Sequence, residues 1–282
     1  MKLQAGDVAV ITGGASGIGY AIAGALADRG LRLVLADVES PSLEAAANGL
    51  RAAGAEVLDR VVDVRHLAEV EALADATLDR FGQVDLIFNN AGVIGPRALL
   101  WEQAECDWRW LLEVNFYGVL HGIRSFVPHL VKAGRGHVIN TASIHGLGQA
   151  GGGSGPYCAS KFAVVGVSEH LRFELDRVAP QIGVTILCPG AVESQLRDSA
   201  RNRPAEYAKS SDAPAVAWGP AFDRGLIRVP AADVVEAIVE GIEADLLYLP
   251  VAPQVIMLAR ERIKQLLEGL EAAERLAPQW PG

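Results

Sequence analysis

Tyr157 and Lys161 stand four residues apart in the stretch YCASK. On an α-helix that interval puts two side chains on one face. A phenol beside an ammonium is an acid–base pair, because the positive charge favours phenolate over phenol. Such a neighbour draws the proton off a group that ordinarily titrates at about 10. A tyrosine lowered in this way takes a proton from an alcohol, or returns one to a forming alkoxide, near neutral pH. A Y-x-x-x-K pair also arises as an ordinary surface pair on a helix, so its weight depends on what surrounds it.

The second constellation is TGGASGIG at 12–19, four glycines in eight residues between the apolar runs VAVI and YAIAGAL. Glycine inside regular structure is destabilising by roughly 0.5–1 kcal/mol relative to alanine, so it belongs where backbone turns sharply or approaches another group closely. Gly13, Ser16, Gly17, Ile18 and Gly19 lie where a strand ends and a helix opens. There backbone N–H groups and the helix N-terminus receive a pyrophosphate. The loop lacks the G-K-[ST] ending of a nucleoside-triphosphate loop. Asp37 closes the next apolar run, where a carboxylate accepts two hydrogen bonds from an adenosine ribose and repels a 2′-phosphate. Ala36, Val38 and Glu39, like Gly14, Ala15 and Ser16, bring no cation to such a phosphate. NAD rather than NADP is the expected cofactor. Taken singly, the loop also suits a plain strand-to-helix turn, and Asp37 a solvated strand-end acid.

These groups need a scaffold, and the apolar pattern supplies one. Short apolar runs recur at 8–11, 31–37, 57–64, 84–92, 137–143, 184–190 and 246–251. They are rich in Val and Ile without strict polar alternation, which suits strands buried on both faces. Helical patterns lie between them, with stops at Gly30, Gly54 and Gly82, and another runs from Tyr157 to Val178 with Pro156 placed to open it. This alternation predicts an α/β fold: a doubly wound parallel sheet of about seven strands with helices on both faces. Residues 1–282 read as one dinucleotide-binding catalytic domain, with a substrate lid at 193–230 and a C-terminal helical extension at 253–282. In that extension Ile256, Ala259, Ile263, Leu266, Leu267 and Leu270 share one stripe.

Composition excludes several classes. The net charge of −9 repels phosphate backbones and disfavours nucleic-acid binding. No apolar run reaches the ~18 residues of a membrane span, and the N-terminus does not read as a signal peptide. A cytoplasmic protein without membrane contact is expected. Cys106, Cys158 and Cys188 are far apart and odd in number, as small buried hydrophobes rather than a disulfide framework or a metal site. His66, His121, His129, His137, His145 and His170 are scattered and form no HExxH, so no metal is expected.

With these residues in view, the chain resembles the short-chain dehydrogenase/reductase family, in its single-domain branch. The matching motifs are TGGASGIG at 12–19, Asp63-Val64, NNAG at 89–92, Asn115 in EVNFYG, Ser143 in NTAS, YCASK at 157–161 and PGAVES at 189–194. They run in the family's order over about residues 6 to 195. Gly13, Gly17 and Gly19 match the TGxxxGxG spacing of the oxidoreductases rather than the TGxxGxxG of the epimerase/dehydratase branch. The resemblance implies hydride transfer between NAD and a secondary alcohol or ketone. In that reading Tyr157 is the general acid/base, Lys161 assists it and holds the nicotinamide ribose, Ser143 holds the substrate oxygen, and Asn115 anchors a water relay. It implies further that Asp63 and Val64 flank the adenine, and that Asn89, Ala91 and Gly92 pack their backbone against the adenosine half. Pro189 and Gly190 would cradle the nicotinamide, with Val192 and Ser194 at its carboxamide or at the pyrophosphate. A homodimer or homotetramer is implied as well.

The substrate is less legible than the cofactor. Its cleft is expected between 93–97, 144–155 and the segment after Gly190, with His145 at the border. The lid's Glu193, Arg197, Asp198, Arg201, Arg203, Glu206 and Lys209 read as a solvated face. Trp101, Trp108 and Trp110 read as core or interface packing, and Trp218 and Phe222 as core. Ser154 is set aside in favour of Ser143, which ends an apolar run. Two other readings stay open: an NADP-dependent ketone reductase, and a catalytically silent dinucleotide sensor, which would need only the glycine loop and Asp37.

Overall fold

A computed structural model describes residues 1–148, 155–208 and 227–276. Among them seven strands form one parallel sheet: β1 (Val8–Thr12), β2 (Arg32–Asp37), β3 (Val57–Val61), β4 (Leu86–Asn89), β5 (Gly136–Thr141), β6 (Ile182–Pro189) and β7 (Tyr248–Val251). Their order is β3-β2-β1-β4-β5-β6-β7. The apolar runs become strands because both faces are covered. In β1, Ala9 and Ile11 join one buried cluster with Ile22 and Leu26 of α1 (Gly17–Asp28) and Leu43 and Ala47 of α2 (Ser40–Ala52). Val8 and Val10 join the opposite cluster, with Val70 and Leu73 of α3 (Leu67–Phe81). Successive strand side chains point to opposite faces, so an uninterrupted Val/Ile run feeds two cores. The helices α1, α2 and α3 end one or two residues before Gly30, Gly54 and Gly82.

The chain builds outward from β1 to β3, then returns to place β4 on the other side of β1. That reversal leaves a crevice beyond the carboxyl ends of β1 and β4, where open α/β sheets take their ligands. The second half adds α4 (Glu105–Leu112), α5 (Gly118–Ala133), α6 (Ile144–Leu147), α7 (Gly155–Val178), α8 (Ala232–Glu243) and α9 (Pro253–Leu276). A widened helical turn, Glu113–Tyr117, joins α4 to α5 without a break. Helix α8 has no counterpart in the sequence reading; Val235, Ile238 and Ile242 are buried along it. Ser154, Lys209, Trp218 and Phe222 lie outside the described residues. No described helix is long and apolar enough to cross a membrane.

Candidate active site

A single cleft collects most of the singled-out residues. Gly13, Ser16, Gly17, Ile18, Asp37, Asp63, Val64, Ala91, Gly92, Ser143, Tyr157, Lys161, Pro189, Gly190, Val192 and Ser194 all line it. The strand ends explain why. Gly13 follows β1, Asp37 ends β2, Ala91 follows β4, Ser143 follows β5 and Gly190 follows β6. Residues far apart in sequence meet because parallel strands all end on the same side of a sheet.

At one end, the glycine turn is shaped by close approach. Gly13 has φ +65°, and a Cβ there would stand 2.9 Å from the Ala91 Cα. Gly17 has φ +55°, and its Cβ would stand 2.8 Å from the Ser194 Cβ. Beside the turn, Asp37 accepts hydrogen bonds from the Ala15 N–H (3.1 Å) and the Glu39 N–H (3.1 Å). Burial raises its pKa, and those backbone bonds offset part of the rise. The carboxylate therefore binds the loop that it was expected to accompany.

At the other end, α7 puts Tyr157 and Lys161 on one face, both buried. Ser143 caps α6 and hydrogen-bonds the Tyr157 phenol. Lys161 Nζ donates to the Thr141 carbonyl at 2.8 Å and lies 5.8 Å from the centre of the Tyr157 ring. The expected acidification of the tyrosine is not found. Burial raises the Tyr157 pKa above its ordinary value, and the Ser143 hydrogen bond offsets only part of this. The Lys161 ammonium donates to the Thr141 carbonyl while lying beside the Tyr157 ring. Burial also lowers the Lys161 pKa to about 8.

Three expected residues stand off the cleft wall. Gly19 is buried behind the turn, where a Cβ would meet the Gly13 carbonyl oxygen at 2.2 Å. Asn89 points into the core, donating to Asn140 Oδ1 at 2.8 Å and sitting where a side chain on Gly122 would collide. The lining amide is its neighbour Asn90, which donates to the Thr12 carbonyl (3.0 Å) and so fastens the glycine turn to β4. The doublet at 89–90 held the signal, since adjacent residues at a strand end face opposite ways. Asn115 lies in the widened turn, fully buried. Its Nδ2 donates to the Val93 carbonyl and to Ser160 Oγ (both 3.0 Å), and its Oδ1 accepts from the Val93 N–H at 2.8 Å. Both amide hydrogens brace the post-β4 loop against α7. Gly92 keeps the space beside it open, its missing Cβ lying 3.3 Å from Asn115 Oδ1 and 3.5 Å from Lys161 Nζ.

The segment 194–207 is more than a solvated face. Ser199 Oγ accepts from the Ile94 N–H (2.9 Å) and donates to the Ile94 carbonyl (3.0 Å). Arg203 pairs with buried Asp107 at 2.5 Å, and Glu206 with Arg65 at 2.6 Å. Arg201 pairs with Glu39, and Asn202 donates to the same carboxylate at 2.6 Å. Arg65 also grips Asp63, and those bonds hold the Asp63 carboxyl below its usual range although burial opposes them. Trp110 is buried against Tyr157 and lines the cleft, whereas Trp101 is 80% exposed.

Comparison with known proteins agrees with this geometry. The family model of the short chain dehydrogenases matches residues 7–205. A CLA biosynthesis dehydrogenase/reductase of Lactiplantibacillus plantarum is 31% identical over 274 residues, 95% of each chain. A solved short-chain dehydrogenase/reductase from Burkholderia phymatum, in complex with NAD, is 38% identical with a TM-score of 0.88, covering 95% of this chain and 97% of that one. An actinorhodin polyketide ketoreductase solved with NADPH is 34% identical with a TM-score of 0.75, covering 90% and 99%. The chain belongs to the short-chain dehydrogenase family of oxidoreductases.

Proposed function

We propose that this chain interconverts a secondary alcohol and its ketone using NAD, with Tyr157 as the proton donor and acceptor. The observation that carries this reading is the convergence of Ser143, Tyr157 and Lys161, buried together, in the cleft that also holds the glycine turn and Asp37. That cleft suits a dinucleotide: the turn at Gly13 and Gly17 leaves no room for side chains, and carboxylates line the side next to it. When bound, the nicotinamide supplies the hydride or accepts it. The protein's part is to orient the reacting carbon, exclude water and move one proton.

Tyr157, kept protonated by burial, is set to donate to a ketone oxygen. Ser143, already bonded to the phenol, holds that oxygen and stabilises charge developing on it. In the opposite direction phenolate must be favoured, and Lys161, charged below about pH 8, does so electrostatically. Asn115 positions the wall beside them. Pro189, Gly190, Val192 and Ser194 border the reacting end.

NAD is preferred in this reading because the basic residues of the cleft are occupied. Arg65 is paired to Asp63 and Glu206, and Arg201 to Glu39. Asp37 and Glu39 stand where a 2′-phosphate would meet two carboxylates. The NAD-bound relative supports this choice, and the relative solved with NADPH makes the second cofactor a necessary arm of the test. The other partner is a small-molecule alcohol or ketone. Self-association through the helices carrying Asn115 and Tyr157, as a homodimer or homotetramer, is the oligomer that light scattering should report.

The test follows reduced-nicotinamide absorbance with NAD and NADP across a panel of secondary alcohols and ketones. Tyr157→Phe should lower turnover by at least ~1000-fold, within the range for positioned acid–base groups, while dinucleotide affinity changes only a few-fold. Retention of most activity would remove Tyr157 from the chemistry. Asp37→Ala should weaken NAD more than NADP, and equal losses would reverse the cofactor preference.

A further inference from the structure

Beyond its first two turns, α9 parts from the body of the protein. Val255 and Leu258 are buried beneath it with Ile144 of α6, and Arg262 lies over the Phe162 ring at 4.9 Å. From Ile263 onward its side chains are almost all exposed. Ile256, Ile263, Leu266, Leu267 and Leu270 nevertheless keep to one apolar stripe, each of them 45–62% exposed. Single exposed leucines are normal on a protein surface. A continuous stripe at helical spacing along a charged helix is the pattern of a face that gets covered.

We propose that this stripe is a self-association surface, on which α9 packs antiparallel against α9 of a second copy of the chain, about a two-fold axis near Leu266. Charge selects both the occupant and the direction. Along one flank of the stripe the order is Arg260, Lys264, Glu268, Glu271; at 3.6 residues per turn these four fall within one arc. Over 260–271 the flank is basic before Leu266 and acidic after it; Arg275 follows in the same arc, beyond the matched charges, and falls opposite Met257 of the other copy in this pairing. A two-fold contact sets a surface against itself reversed. Laid antiparallel about Leu266, Lys264 meets Glu268 of the other copy and Arg260 meets Glu271. Ile263 then packs on Leu270, and Leu266 faces its own counterpart. Parallel pairing, with the two-fold axis along the helices, would instead set this flank against the opposite one, Arg262, Gln265, Gly269 and Ala273, which offers no carboxylate to Arg260 or Lys264. A lipid surface would call for a uniformly basic flank, and a partner of one charge sign would match only half of this one. Within one helix Lys264 and Glu268 already lie 3.8 Å apart, both mostly exposed. Such an i, i+4 pair is weak and leaves both charges free to engage a second helix.

The test uses the full chain and reads mass against concentration by light scattering. Lys264→Glu and Glu268→Lys each put like charges at two places in the pairing. Each should weaken the α9-dependent association roughly tenfold, lowering the assembly by a factor of two in mass at intermediate concentration. Mixed in equal amounts, the two variants should recover it as a mixed assembly, because each supplies the charge that the other lacks. The pair inside each helix stays broken in that mixture, so recovery reports contact between copies. On mild oxidation Leu266→Cys should form a reducible link between copies, and Gln265→Cys, on the far side of the helix, should not. A wild-type chain that stays monomeric overturns the proposal. So do single variants that associate normally, a mixture that fails to recover, or links that form equally at 265 and 266.

Discussion

The two walls of the cleft are held by different physics. One consists of strand ends: Gly13, Asp37, Asn90 and Ser143 stand at or just after strands whose core residues are wholly buried and whose backbones are paired on both sides. The facing wall, 194–207, contains only two short helical stretches, Gln195–Asn202 and Ala205–Tyr207. Its ties to the body are largely side-chain contacts: Ser199 to Ile94, Arg201 and Asn202 to Glu39, Arg203 to Asp107, Glu206 to Arg65 and Tyr207 to Glu113. A wall built on buried backbone resists deformation. A wall tied by side chains is more uneven: its partly exposed ion pairs, Arg201 with Glu39 and Arg65 with Glu206, are worth about 0–1 kcal/mol each and are weakened by salt, while Arg203–Asp107 is nearly buried. That contrast suits a site that holds its ligand against the first wall and admits it past the second.

The largest effect should appear where the second wall behaves like core. Asp107 is 2% exposed in its side chain, and Arg203 is its ion-pair partner. Arg203→Ala strands that carboxylate and should lower unfolding stability by about 3 kcal/mol, read from urea melts. A change below about 1 kcal/mol would place Asp107 in contact with water and extend the salt-sensitive description to the whole wall. Next comes the first wall itself. Gly13→Ala adds a Cβ at φ +65° against Ala91, and strain of this kind should weaken dinucleotide binding by roughly 10–100-fold in a fluorescence titration. Unchanged affinity would show that this wall yields, and the comparison would fail. Glu39→Gln should have a smaller effect, at most about fivefold on the dinucleotide dissociation rate. It should also flatten the salt dependence of that rate in stopped-flow measurements; a salt dependence equal to wild type would exclude Glu39 as the tie.

The smallest effect concerns His145, two residues after Ser143 in α6. Its ring meets the Tyr157 ring edge-on at 5.5 Å, and burial lowers its pKa to about 4. The unfolded chain, with an ordinary histidine pKa of about 6.5, binds more protons between those two values. Stability therefore falls as pH drops from about 6.5 towards 4, and this group contributes no pH dependence above that window. His137 is lowered to about 4 as well, so the contribution of His145 is the difference between wild type and His145→Asn. Urea midpoints should show that difference shrinking as the pH falls. A constant difference would mean that His145 titrates normally in the folded protein.

Much of the first wall was legible because its signals are local. The glycine turn, the strand-end Asp37 and the four-residue interval from Tyr157 to Lys161 each depend on neighbours within one or two turns of chain, and backbone geometry does the rest. The second wall was not legible, because its partners are distant. Nothing in the run from Glu193 to Glu206 announces Glu39, Arg65, Ile94 or Asp107, so its charges read as solvent-facing. Asn90, whose side chain lines the cleft while that of Asn89 points inward, was not singled out, because the two amides are chemically identical and only the facing of the strand end separates them. Trp110 and Trp101, close in sequence, part in the same way: one is buried under the cleft and the other faces water.

The sequence by itself determined the α/β class, the family, the glycine turn beside Asp37 and the pairing of a phenol with an ammonium on one helical face. These follow from periodicity, backbone freedom and spacing, which are properties of short segments. Only the tertiary structure decided the sign of the tyrosine's pKa shift. That sign is set by how much water the surrounding chain removes from the phenol, which outweighs the hydrogen bond to Ser143. Burial and competition for a partner are sums over the whole fold, and no segment carries them alone.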